Sequence, residues 1–343
     1  MASEIAYRRL RAPREHGQTL IEPSLDQLPQ CVRQNIAASS QAATIEINGR
    51  RLAEFSAAAR VEVIQRARAY SSAYLDLPDL TAHARDAPLV MAGHQPQLFH
   101  AGVWFKNFVL SGVAQRVEGV AINLVVDNDT SRVAALRMPT GPATSPRVVG
   151  VPFDATAAEI PYEERPVVDP ALFASFATRT THTLAGWIDD PLVNQLWPAA
   201  VERAEATNNL GFALASARHK REQAWGLRTL ELPLSQVCDT ASFAAFALHL
   251  LVAMERFHSV YNGALADYRR VHHLRGSSHP VPDLHVADSM WEAPLWIWSA
   301  AEPRRRPLYI ERKHDALELS NRAGTTIRLP LTNGEVTEST IDA

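Results

Sequence analysis

Apolar and polar positions change period four times between residues 88 and 130. A short apolar run (88–92) breaks off at Gly93-His94-Gln95-Pro96. A loop with His100 and Gly102 follows, then apolar residues at helical spacing from 103 to about 117. A second apolar run (120–126) stops at Asp127-Asn128-Asp129. Short apolar runs bounded by turn residues read as strands, and the stretch between them as a helix. A strand–loop–helix–strand unit predicts parallel neighbours joined by a right-handed crossover. The loop after the first strand and the acidic turn after the second then share one sheet edge, where open α/β sheets bind ligands.

The rest of the chain gives fewer signals. Residues 1–43 read as an irregular arm punctuated by Arg and Pro. TIEINGRRL (44–52) reads as a short strand with a turn at Asn48-Gly49. Residues 52–75 read as an Ala-rich helix ended by Pro78. Residues 131–170, rich in Pro, Thr and Gly, read as an irregular excursion with a short strand at 147–151. From 171 to 224 the pattern is helical, LRTLELPLSQV (227–237) reads as a buried strand, and Thr240 caps one long helix. Strands are expected at 292–298, 306–312 and 326–332. The expected fold is therefore α/β: a Rossmann-like parallel sheet with a substantial helical region. Its core begins in 44–170 with the 88–130 unit, is interrupted by helices at 171–275, and is completed by C-terminal strands at 276–343.

Composition narrows the partners. At 343 residues, the chain is one large domain or two ordinary ones. A hydrophobic share of 46% with 21% charged residues is that of a globular chain, and a net charge of -3 gives no basic field for nucleic acid. No run reaches the roughly 18 apolar residues of a membrane span. The expectation is a cytoplasmic protein with a small-molecule substrate, no nucleic acid and no membrane. The two cysteines, Cys31 and Cys238, lie far apart and make no metal-type pair. Only Lys106, Lys220 and Lys313 are lysines among 34 basic residues, so a lysine inside the 88–130 unit stands out. An ammonium and a guanidinium are not equivalent for phosphate or carboxylate ligands.

The loop GHQPQLFHAG suits an anion. Gly93 lets backbone approach a phosphate, and the following helix offers free N–H groups. His94 and His100 supply imidazoles to phosphate oxygens, or else they simply line and cap a tight turn. The loop is neither G-x-x-x-x-G-K-[ST] nor G-x-G-x-x-G, so those two phosphate-binding classes are disfavoured. Asp127 and Asp129 at a strand end are placed to hold Mg²⁺, orient a ribose or act as a base, against the plain reading of a turn-forming DND. His272, His273, His279 and His285 have no accompanying cysteine and read as a polar loop rather than a zinc site. Trp291, Trp296 and Trp298 read as core.

The stretch AGHQPQLFHAGVWFKNF with INLVVDNDT resembles the nucleotide-site region of the bacillithiol biosynthesis cysteine-adding enzymes. There a strand leads to a G-Q-Q-x-x-L-F-x-G-P-L-Y-x-x-Y-K loop and helix, and a later strand ends in E-D-H-D. Gly93, Gln95, Leu98, Phe99, Gly102 and Lys106 match, and Asp127 and Asp129 stand for the acidic turn. His94 replaces the first glutamine of that loop, His100 has no clear equivalent, and the family's long coiled-coil insertion is not evident. The likeness covers roughly 45 residues. It implies a Rossmann-like core, further core beyond residue 343, and a ligase- or nucleotidyltransferase-like enzyme. Such an enzyme would bind ATP or ADP at 93–106, with Mg²⁺, and join an amine to a small polar acceptor. On this reading His94, His100, Lys106 and Asp127 are catalytic. Gly93, Gln95, Gly102 and Asp129 bind the cofactor, and Asp127 with Asp129 holds the metal. The alternatives are a non-catalytic nucleotide- or ligand-binding protein, and a glycan-pathway enzyme with an H-Q-P loop.

Overall fold

Asn48 and Gly49 both have positive φ (48° and 75°), the conformation a two-residue turn needs if its strands are to keep their right-handed twist. The computed structural model describes residues 7, 10–11, 13–42, 44–78, 86–98, 100–131, 134–299, 301–332 and 335. In it β1 (Glu46–Ile47) and β2 (Arg50–Arg51) flank that turn as an antiparallel hairpin. Ahead of them, α1 (Leu28–Gln41) replaces part of the expected irregular arm. Its sequence carries a proline in the first turn, where helices tolerate it, and no glycine. Helix α2 (Leu52–Ser72) buries Phe55 in its first turn and Ile64, Ala67 and Tyr70 along one face of its second half.

The 88–130 unit is present as read. Strand β3 (Leu89–His94), helix α3 (Ala101–Arg116) and strand β4 (Val120–Val125) follow in order. The strands pair in parallel from Leu89↔Val120 to His94↔Val125. Next comes a hairpin of β5 (Ala135–Thr140) and β6 (Arg147–Pro152), where the sequence showed only its second strand. Pro139 obscures β5; proline is confined to edges and bulges because it donates no ladder bond.

A 3₁₀ turn (Tyr162–Glu164) leads to four helices: α4 (Pro170–Ala174), α5 (Phe176–Thr183), α6 (Val193–Thr207) and α7 (Leu210–Ala224). Their core gathers Phe173, Phe176 and Trp197, with the Trp197 indole N–H donating to the Phe173 carbonyl at 2.6 Å. Strand β7 (Leu230–Pro233) then returns to pair in parallel with β4, from Ile122↔Leu230 to Val125↔Pro233. The parallel sheet has the order β3-β4-β7, and Ile122 and Leu232 pack against Ile64 and Ala67 of α2.

Past β7 come α8 (Leu234–Cys238), α9 (Ala241–Val252) and α10 (Met254–Val271). The Thr240 side chain caps α9 by accepting from Phe243 N, as expected, but the helix does not run on: α9 and α10 meet at 87°. The final strands, β8 (Val286–Ala287), β9 (Met290–Ile297), β10 (Arg306–Arg312), β11 (Ala316–Ser320) and β12 (Thr326–Pro330), form an antiparallel sheet in the order β12-β11-β10-β9-β8. The expectation that they complete the parallel core is overturned. Each follows its predecessor through a short connection, which permits hairpins and excludes parallel crossovers. Leu248, Leu251 and Met254, on both sides of the bend, pack on this sheet against Leu308, Ile310 and Leu317. The fold is thus mixed α/β, with a small parallel sheet and a separate antiparallel one. Cys31 and Cys238 are free. Among the described residues no single helix is long and apolar enough to cross a membrane.

Candidate functional site

The carboxyl ends of β3, β4 and β7 share one edge, and side chains from three loops meet there. Gln95, after β3, donates its amide N–H to Asp129 Oδ2, after β4, at 3.0 Å. Asp129 Oδ1 accepts from its neighbour Thr130 N at 2.8 Å and lies 3.5 Å from Arg305 Nη1. The predicted meeting of the β3 loop with the acidic turn therefore occurs through Gln95 and Asp129.

Asp127 turns the other way. It is buried, and its carboxylate accepts from Ser235 N at 3.0 Å and Ser235 Oγ at 2.5 Å, capping the first turn of α8. Burial pushes its carboxyl up, while the Ser235 hydrogen bonds pull it back. Asp127 and Asp129 thus point to different partners and do not converge on one cation. Among the described residues no three His, Cys, Asp or Glu side chains gather as a metal site. The expected pairing of Asp127 with Asp129 around Mg²⁺ does not fit this geometry.

The loop residues divide in the same way. His94 is buried at the end of β3, with Nε2 on Asn107 Oδ1 (2.9 Å) and Nδ1 on the Gln95 carbonyl (3.1 Å). Burial, then the Arg218 charge, holds it below the usual imidazole range. A phosphate cannot reach an imidazole so enclosed, so its expected phosphate contact is corrected to a packing role. His100 is exposed and caps α3, its Nδ1 accepting from Gly102 N at 3.0 Å. Gly102 is small for that reason: an added Cβ would lie 3.2 Å from the His100 ring nitrogen. Gly93 is similarly constrained, since a Cβ there would come within 3.1 Å of Leu124 on β4. Lys106 is exposed on the second turn of α3. Phe99 lies outside the described residues.

Two groups of residues carried no motif. The first is a buried ionic network behind β3 and β4. Arg218 lies between Glu222 (3.2 Å from its Nε) and Glu231, to which it is hydrogen bonded. Glu222 Oε1 also accepts from Trp104 Nε1 and Asn107 Nδ2, each at 2.6 Å. Asn123 donates to Glu231 at 2.8 Å, and Tyr74 Oη sits 2.8 Å from His219 Nδ1. Burial pushes Glu222 up. On Glu231, Arg218 and His219 outweigh burial and hold it down. The signals were a charged residue inside the apolar run LELP and an Arg–Glu pair four apart in an Ala-rich helix.

The second is Glu163. Its 3₁₀ turn is stitched to the acidic turn by Glu163 N to the Asp127 carbonyl and Tyr162 N to the Asp129 carbonyl, both 3.0 Å. Asn209 fastens it from the other side: its amide donates to the Glu163 carbonyl at 2.7 Å while its oxygen caps α7 at Phe212 N. Glu163 faces a cleft of 670 Å³ between the strand ends and the C-terminal sheet, alongside Asn128, Ser235 and Cys238. Burial, with the neighbouring Asp127 charge, pushes its carboxyl up to about 7. Burial and the Glu163 charge push the Cys238 thiol up to about 11. Trp296 and Trp298, read as core, instead line the cleft, and Trp296 is 46% exposed. A charged pair between prolines, PYEERP, has no period to mark it.

No family model matches this chain, and no curated protein matches it.

Proposed function

We propose that the chain is a nucleotide-dependent group-transfer enzyme of the ligase or nucleotidyltransferase kind, with β3, β4 and β7 as a reduced Rossmann-like core. The nucleotide's phosphates lie at the exposed first turn of α3, at the positive end of the helix, with the His100 ring as a hydrogen-bonding neighbour and Lys106 supplying positive charge. Asp129, held by Gln95, is placed for a ribose hydroxyl. Glu163 is the proton-exchanging group: a carboxyl poised near 7 gives and takes protons at neutral pH, whereas an ordinary glutamate is almost wholly ionised there. The observation that carries this reading is the Gln95–Asp129 bond. It joins the β3 loop and the β4 turn at one sheet edge and leaves the start of α3 open to solvent.

The test is a thermal-shift titration with ATP and ADP, with and without Mg²⁺. Saturation near 100 times Kd stabilises the native state by about 2.7 kcal/mol. His100→Asn keeps an oxygen to cap α3 and removes the imidazole, so it is expected to weaken the nucleotide-dependent shift at least tenfold without lowering the ligand-free Tm. Absence of any shift with nucleotide in the native protein sinks the reading.

A further inference from the structure

The 670 Å³ cleft has an unusual lining. Glu163, Glu164 and Asp239 contribute three carboxylates, and among the described residues none that lines it is Lys, Arg or His. Arg305 stands at the edge of the cleft, where its charge is already matched: it stacks 4.4 Å over Trp296, donates to the Asn128 carbonyl at 2.9 Å and pairs with Asp129 at 3.5 Å. The carboxylates stand on one side of the cleft: Glu163 is held from the strand-end side by Ser235 and reaches Trp298 of the facing sheet, both of them lining residues. The remaining wall is aromatic and aliphatic: Phe212, Phe243, Leu234 and Trp298. Carboxylates and ring faces together ask for a hydrogen-bond donor that is positively charged and carried on an apolar body. The described carboxylates do not converge as metal ligands, so the charge to be matched is organic.

We infer that this cleft is the binding site of an organic amine, its ammonium directed to the Glu163 and Glu164 carboxylates, and its apolar body against Phe212, Phe243 and Trp298. Only the fate of the amine, as the group joined by the enzyme, rests on the nucleotide reading; binding itself does not. The cleft also has a built-in dependence on pH. Glu163 is flanked by Asp127 from the β4 end, by Glu164 on its own turn, by Ser235 of α8 and by Trp298 after β9. Its charge appears as pH rises through about 7, so the attraction for an ammonium grows across that range, while amines of ordinary basicity stay protonated.

Phenethylamine, 2-phenylethanol and 3-phenylpropanoate share one ring and differ in charge. Each is titrated against the nucleotide-free protein by calorimetry at pH 6 and pH 8. The expected result is saturable phenethylamine binding, at least tenfold weaker for the alcohol, absent for the acid, and several-fold tighter at pH 8 than at pH 6. Glu163→Gln is expected to lower the amine affinity at least tenfold at pH 8 and to flatten its pH dependence. Should that variant lose its circular dichroism signal, the exposed Glu164→Gln and Asp239→Asn changes provide the same comparison in smaller steps. Equal binding of all three probes, no binding of the amine, or unchanged affinity in these variants would overturn the assignment. Because no nucleotide is present, a failure at α3 leaves this readout intact, and a failure here leaves the ATP titration intact.

Discussion

Arg218 is the most exposed to consequence of any single residue in the interior, because two carboxylates depend on it. Taking charged groups out of water is costly, and the attraction between them offsets that cost only while every partner stays in place. Arg218→Met fills the space with an unbranched apolar chain yet leaves Glu222 and Glu231 facing each other without a cation. We expect a loss of about 3–5 kcal/mol of unfolding free energy in denaturant titration. A loss under 1 kcal/mol would show that the network relaxes by taking up protons at no great cost. Single residues were readable where a local rule acts. Asn48-Gly49 turned as expected, and Thr240 capped as expected. His94 and His100 stood out by type, but their surroundings decided their roles: both His94 nitrogens are occupied by the fold, and the His100 ring serves a helix end. Glu163 was not legible, because its environment comes from residues 36 or more positions away, and Arg218 was not, because its partners 4 and 13 positions on become a buried network only when α7 packs against the sheet.

At the level of elements, the helix periods and apolar runs located β3, α3, β4, α7 and β10 closely. The failures have a common cause. A periodic pattern reports which face is apolar and not where the surface that covers it lies. The stretch after Thr240 is continuously helical by pattern, yet Leu248 and Leu251 before the bend and Met254 and Phe257 after it all pack on the C-terminal sheet. The chain meets that demand by turning through 87° at Ala253, and the Arg312 guanidinium takes the freed Val252 carbonyl at 3.0 Å. Helix α9 begins at the Thr240 hydroxyl, which accepts from Phe243 N, with Glu62 accepting from Ser242 N beside it. Thr240→Ala should therefore cost about 1 kcal/mol, read as a lower midpoint in urea with an unchanged slope. An unaltered midpoint would mean that packing on the sheet, rather than the cap, sets where α9 starts.

Across the whole molecule, the sequence conveyed an α/β chain with a parallel pair whose following loops share one edge, and misassigned the C-terminal strands to the same sheet. Strand pairing partners are not encoded in the strands' own apolar runs. Short connections between β9, β10, β11 and β12 were the available clue that they are hairpins. The two sheets meet where Arg305 reaches the acidic turn, and that meeting makes the cleft. Neither sheet alone contains both the carboxylates and the tryptophans.

The order β3-β4-β7 also sets a timetable for synthesis. Strand β4 has one neighbour 31 positions upstream, Leu89 against Val120, but its other neighbour, Leu230 against Ile122, is 108 positions downstream. At roughly 5–20 residues per second, β4 would wait on the order of 5–20 s with one edge open before β7 leaves the ribosome. An open apolar edge is a template for wrong pairing, and closing so long a loop is slow. A nascent chain halted at residue 226 should leave the 88–130 unit sensitive to protease, and one halted well past 238 should protect it. Protection already present at 226 would mean that the helices of 170–224 cover that edge in the interval, and so act as an internal chaperone for the sheet they interrupt.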